Sequence, residues 1–278
     1  MSTSIFILLI LLGSVAAGFI GALTGLGGGV VIVPLLTLGF GVDIRYAIGA
    51  SLVSVIATSS GAASAYVKEG FSNIRIGMFL EIATTLGALA GAFLAQRIPT
   101  SAIAMVFGGI LIYSAIVSIR PPSHGASAAG PDRIATYLRM NSSYPVPGGS
   151  QEYYVRSVPG GFAMMFGAGA VSGLLGIGAG VVKVLAMDKL MRVPFKVSTT
   201  TSNFMIGVTA AASAGVYLNR GYIDPALSMP VMLGVLLGAF LGSIELMKAR
   251  TPVLRVVFGL IILVLAFEMI YNGITGRL

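Results

Sequence analysis

The run Gly25-Leu26-Gly27-Gly28-Gly29 interrupts an apolar stretch, and Gly176-Ile177-Gly178-Ala179-Gly180 echoes it 151 residues later. Glycine inside a helix costs about 1 kcal/mol relative to alanine, so four glycines in five residues should break one. Inside a bilayer, broken backbone survives only where protein buries it or a watery cavity bathes it. Breaks at matching places in two halves of a chain point to a transporter's binding site.

The 278 residues are 56% hydrophobic and 9% charged, with a mean hydropathy of +0.96. Soluble domains carry roughly 25% charged residues, so the composition is that of an all-α, polytopic membrane protein. With no cysteine, disulfides, thiolate metal sites and cysteine nucleophiles are excluded. The one histidine, His124, falls in a polar stretch and reads as a solvated loop residue. There is no Gly-Lys-Ser/Thr and no G-x-G-x-x-G, which argues against nucleotide binding. With no Ser/His/Asp set and no ligand cluster, neither an enzyme nor a metal or other cofactor is expected. The net charge of +8 reads as positive-inside bias rather than nucleic-acid binding. No Lys or Arg precedes Arg45, so the first apolar segment lacks a signal peptide's basic region and is expected to be retained.

Apolar segments run over 4–24, 44–67, 74–96 and 101–119, and again over 158–175, 195–218, 225–247 and 252–272. Stretches 29–40 and 180–191 are too short to cross and suit half-helices, the first with Pro34 as a kink. Asp43, and the pairs Asp224-Pro225 and Thr251-Pro252, are N-terminal helix signals. Residues 120–157 are polar, with a short helix expected near 131–141. This divides the chain into a first repeat (1–119), a cytoplasmic connecting loop (120–157) and a second repeat (158–278). One offset aligns Gly27, Gly29, Ser51, Thr58, Tyr66, Gly87 and Phe107 with Gly178, Gly180, Ser202, Thr209, Tyr217, Gly238 and Phe258, the mark of a duplication.

Loop charges orient the halves. If each glycine-broken stretch completed a crossing, the sixteen basic residues other than Lys183 would divide eight and eight. If the chain turns back at the glycines, Arg45, Arg97, Arg220 and Arg277 share one side and the other twelve share the opposite one. The second pattern is what the positive-inside rule expects. The predicted fold is therefore two inverted-topology repeats, each a glycine-broken re-entrant helical hairpin plus three transmembrane helices. Both termini then lie outside. The half-helix N-termini enter from opposite faces, and their unpaired N–H groups and dipoles suit an anion.

Lys183 stands three residues past Gly180, where the first half has Ile32. A lysine at membrane depth costs at least about 2.5 kcal/mol. It binds or gates an anion, or it snorkels or pairs with Asp188 or another carboxylate. Ser51/Ser202 and Thr58/Thr209, which recur in both repeats, and Asn203 stand out from a hydroxyl-rich background that otherwise suits back-bonding to the helix. Glu81 is either a protonatable coupling group or a partner for Arg75 or Lys68. Gly87/Gly91 and Gly234/Gly238/Gly242 lie on single helix faces and serve close packing, within the chain or across a homodimer. The substrate-binding set expected is Gly27, Gly28, Gly29, Ser51, Thr58, Gly178, Ala179, Gly180, Lys183, Ser202 and Asn203, with Glu81 for coupling.

Gly21-x-x-x-Gly25-x-Gly27-Gly28-Gly29-x-x-x-x-Pro34-Leu35-Leu36, followed by Ala50-Ser51-Leu52-Val53-Ser54-Val55 and Thr58-Ser59, resembles the TauE/SafE sulfite-exporter family of anion permeases. The resemblance extends to the second half, where Ala179 replaces Gly28 and Leu185 replaces Pro34. It implies a multi-pass protein of the bacterial inner membrane that moves sulfite, sulfonates or related sulfur anions; in that membrane the charge count makes the expected termini periplasmic. It touches the glycine positions, Pro34, Ser51 and Thr58, and assigns nothing to Lys183. The expected function is secondary transport of a small sulfur oxyanion, outward, by alternating access; an anion channel or uncoupled pore is the alternative. The expected partners are the anion, the lipid bilayer and, through the glycine faces, a second copy of the chain; nucleic acid is not expected.

Overall fold

The computed structural model describes residues 3–24, 28–68, 71–119, 132–146, 149–246 and 251–276. Gly27 and His124 lie outside the described residues. In the first half, α1 (Thr3–Thr24) leads to the short α2 (Gly29–Pro34), then α3 (Ile44–Lys68), α4 (Ile74–Ala95) and α5 (Thr100–Ile119). The second half repeats the order with α7 (Val158–Leu175), α8 (Gly180–Leu185), α9 (Phe195–Asn219), α10 (Pro225–Leu246) and α11 (Thr251–Thr275). By length and composition, α4, α7 and the Pro225–Gly242 part of α10 can cross a membrane. Shorter apolar stretches come from α1, α3, α5 and α11.

Two of the three start signals read from sequence are present as caps: the carboxylates of Asp43 and Asp224 accept from the N–H groups of Arg45 (2.8 Å) and Ala226 (2.9 Å), while Thr251 is the first residue of α11 itself. Pro34 plays a smaller part than its sequence suggests. After α2 the helix widens into a π turn over Leu35–Gly39, but α8 does the same over Ala186–Leu190 behind Leu185. The bulge is thus a property of both half-helices, not of the proline.

Between the halves lie α6 (Arg133–Tyr137) and a hairpin of β1 (Ser142–Val146) and β2 (Gly149–Tyr153), with Ser142 opposite Tyr153. The sequence reading anticipated the helix and missed the hairpin. This segment is docked: Met140, Tyr153 and Val155 are buried together with Ile76, Met187, Met191 and Val193. Asn73 ties it to the helices. Its side-chain oxygen caps α4 at the Ile76 N–H (3.1 Å), and its amide donates to the Met140 carbonyl (3.0 Å) and the Tyr153 hydroxyl (2.7 Å).

The long helices pair across the halves: α1 with α10, α4 with α7, α5 with α11 and α3 with α9. Exchanging the two halves leaves this set of pairs unchanged. The glycine faces make the pairing close. Gly87 and Gly91 lie on the backbone of Phe166 and Ala170, Gly169 and Gly173 on that of Thr84 and Ala88, and Gly238 on that of Val15 and Phe19. These faces are therefore used inside the chain. Contacts advance in the same sense along α4 and α7, as along α1 and α10, so each pair is parallel. Along α5 and α11 they run oppositely, with Gly108 against Ala266 and Ile270 but Gly273 against Ser101 and Met105. Outward stripes such as Met78, Ile82 and Leu86 on α4, and Leu260, Val264, Phe267 and Tyr271 on α11, are exposed and apolar, as a lipid-facing surface requires.

Candidate functional site

The two glycine turns meet at the crossing of α3 and α9. A side chain added at Gly29 would lie 2.8 Å from the Ser51 hydroxyl, 2.8 Å from Val55 and 3.3 Å from the Gly176 carbonyl. A Cβ added at Gly178 or at Gly180 would likewise lie 2.8 Å from Ile206. Val55 and Ile206 occupy equivalent positions in the two halves and close the space between the half-helix starts.

The turns differ in backbone despite their similar sequence. Gly28, buried against Val235, is right-handed (φ −64°), whereas its counterpart Ala179 is left-handed (φ 46°) between Gly178 (φ 68°) and α8. The left-handed region disfavours a residue with a Cβ by roughly 1–2 kcal/mol.

The serines hold this backbone in place. Ser51 donates to the Gly176 carbonyl at 2.7 Å, with the Gly29 carbonyl at 3.4 Å, and Ser202 donates to the Gly180 carbonyl at 3.3 Å. Thr58 bonds back to Ser54 and Val55 of its own helix. Asn203 is half-buried on α9.

Lys183 is fully buried and does not snorkel. Its Nζ donates to Thr209 Oγ1 at 2.6 Å, and Thr209 Oγ1 in turn lies 2.6 Å from Glu81 Oε1. Thr85 donates to the same carboxylate oxygen at 3.1 Å, while Glu81 Oε2 is buried without a hydrogen-bond partner. Asp188 is not the partner of Lys183; it pairs with Lys189 at 3.7 Å. Nor does Arg75 reach Glu81, since its guanidinium donates to the Arg139 carbonyl at 3.3 Å. Glu81 and Lys183 thus belong to one cluster built by α4, α8 and α9.

A cavity of about 420 Å³ opens along the seam of α4 and α9, lined by Leu89, Phe93, Ala212, Val216, Asn219 and Arg220. Ala212 stands three residues beyond Thr209 on α9, and Thr209, Glu81 and Lys183 are not among the lining residues. Among the described residues no group of acidic or histidine side chains could hold a metal ion.

The family model described as sulfite exporter TauE/SafE matches residues 9–269. The chain belongs to this family. Relatives of the TauE/SafE chain include two probable membrane transporter proteins of Bacillus subtilis (strain 168). YunE is 27% identical over 97% of this chain and 98% of its own length; YdhB is 28% identical over 86% and 88%. A probable membrane transporter protein of Xylella fastidiosa (strain 9a5c) is 26% identical over 92% of each chain. No solved structure matches. The TauE/SafE protein is thus a membrane transporter.

Sequence reasoning singled out Lys183 and Glu81 separately and missed that Thr209 joins them. A signal was available. The positions 151 residues away hold Ile32 and Met232, so both charges appear in the same half-site and are missing together from the other.

Proposed function

We propose that this protein is a secondary transporter that exports a small sulfur oxyanion, such as sulfite or a sulfonate, by alternating access. The observation that carries the reading is the meeting of two glycine turns beside a fully buried lysine. Half-helix starts present backbone N–H groups and a positive dipole end, and Lys183 adds a full charge. The family's description favours sulfite as cargo.

The helix pairing supports two inverted repeats. If successive long helices alternate in direction, antiparallel α5 and α11 set α3 against α9. Then α1, parallel to α10, runs the same way as α3. That requires the chain to turn back between them, at the glycines. The one-sided distribution of basic residues then puts residues 120–157 in the cytoplasm and the termini in the periplasm of the inner membrane. Alternating access would part Val55 from Ile206, first on one side and then on the other.

The experiment is counterflow: proteoliposomes containing only this chain and loaded with unlabelled sulfite should transiently concentrate labelled sulfite. A channel cannot do this, because it has no exchange step; equilibration without overshoot would reject the carrier reading.

A further inference from the structure

We infer that Glu81, Thr209 and Lys183 form a proton-exchange site: an anion that takes Lys183 obliges Glu81 to accept a proton, so anion and proton cross together. This rests on the anion-transport reading above.

Two observations set the cluster apart from a structural ion pair. The equivalent positions are Ile32, Thr58 and Met232, and α2 and α10 pack on α3 there without charge. The fold therefore builds this contact from apolar residues when charge is not needed. Glu81 also keeps one buried oxygen with no donor. A buried acceptor left unsatisfied is costly, and it is the atom on which an added proton would sit.

The charges force the coupling. In the empty carrier Lys183 and Glu81 cancel, linked through the Thr209 hydroxyl, which accepts from Nζ and donates to Oε1. An oxyanion that captures the ammonium leaves Glu81 charged in a dehydrated interior. Nothing else described can offset it. Packed against α4, α7 carries no titratable side chain, and α9 carries only Lys196 and Tyr217. These lie on the order of 20 Å and 12 Å along the helix from Thr209. The only titratable side chain of α8 is Lys183 itself, and Arg75 is engaged at Arg139.

The proton balance is simple. Water on the open side supplies one proton, which adds to Glu81 Oε2. Lys183 keeps its three protons and turns its hydrogen bond from Thr209 to the anion. Thr209 turns its own hydrogen to the Met205 carbonyl, already 3.0 Å away. On release every step reverses. A monovalent anion then crosses with one proton and no net charge.

The test uses the full chain in proteoliposomes with trapped pH dye, with sulfite and methanesulfonate as probes. Methanesulfonate is a strong-acid anion that carries no proton of its own. The wild type should show counterflow and move about one proton per methanesulfonate. Glu81→Gln should keep counterflow while its proton movement falls at least tenfold. Thr209→Val should lower the proton-to-anion ratio and Thr209→Ser restore it, a readout that a purely structural role would not move. If methanesulfonate is not carried, the sulfite-driven pH change must depend on Glu81 in the same way. Proton movement that persists in Glu81→Gln overturns the coupling and leaves the transport reading standing. Loss of counterflow in Glu81→Gln that is folded and reconstituted assigns Glu81 to binding or folding, and also overturns it. No counterflow in the wild type removes the transport reading and the coupling with it.

Discussion

Lys183 and Glu81 are each expensive to bury alone. Removing one partner of a buried pair typically costs about 3–5 kcal/mol, while replacing both with apolar residues is often neutral. Lys183→Met should therefore lower the unfolding temperature in detergent markedly. Lys183→Ile/Glu81→Met, which copies the other half-site, should recover most of that loss without recovering transport. A double variant no more stable than the single one would mean the two charges do not interact. Ala179 gives a second prediction. Its left-handed backbone (φ 46°) suits glycine, so Ala179→Gly should stabilise the protein by about 1 kcal/mol, read as a rise in the thermal midpoint. Lys183 was legible because it stands midway along a short apolar half-helix, three residues past Gly180, where the other half has Ile32. Its tie to Glu81 was not, because 102 positions in the chain separate them and only the packing of α4 and α8 on α9 brings them together.

At the scale of elements, the connecting segment is a cap on the half that bears the charges. Asn73→Ala removes an N-cap and two tertiary bonds and should cost about 1–3 kcal/mol, visible as protease cleavage within 132–157 at lower temperature. Burial holds the Tyr153 phenol above its ordinary range around 10.0. A raised value makes the folded form keep its proton longer than the unfolded one, so this contribution is intact below that range and declines above it. Cleavage of the hairpin should rise there, and Tyr153→Phe should blunt the rise. The helices themselves were legible from apolar runs, capping carboxylates and glycine breaks. The hairpin was not: Ser142–Tyr153 is rich in Ser, Pro and Gly, and its order comes from docking Tyr153 and Val155 on Met187 and Met191. The glycine faces were legible as close contacts, but their partners, such as Phe166 and Ala170 for Gly87, were not. Gly91→Leu should separate α4 from α7 and abolish the folded, monodisperse protein on size-exclusion chromatography.

For the whole molecule, the duplication and the one-sided charge were readable from sequence because both are additive over many residues. The closure at the centre was not. Val55 and Ile206 look like ordinary core residues until the crossing of α3 and α9 places them over the two glycine turns. The proposed topology also predicts that a cysteine at Ser150 stays unreactive to an impermeant thiol reagent applied outside the cell. The most direct measurement is labelled sulfite counterflow in proteoliposomes, comparing the wild type with Lys183→Met. An anion site at the meeting of the glycine turns predicts that the variant's overshoot falls at least tenfold while the protein remains folded and reconstituted. An overshoot equal to the wild type's would contradict it.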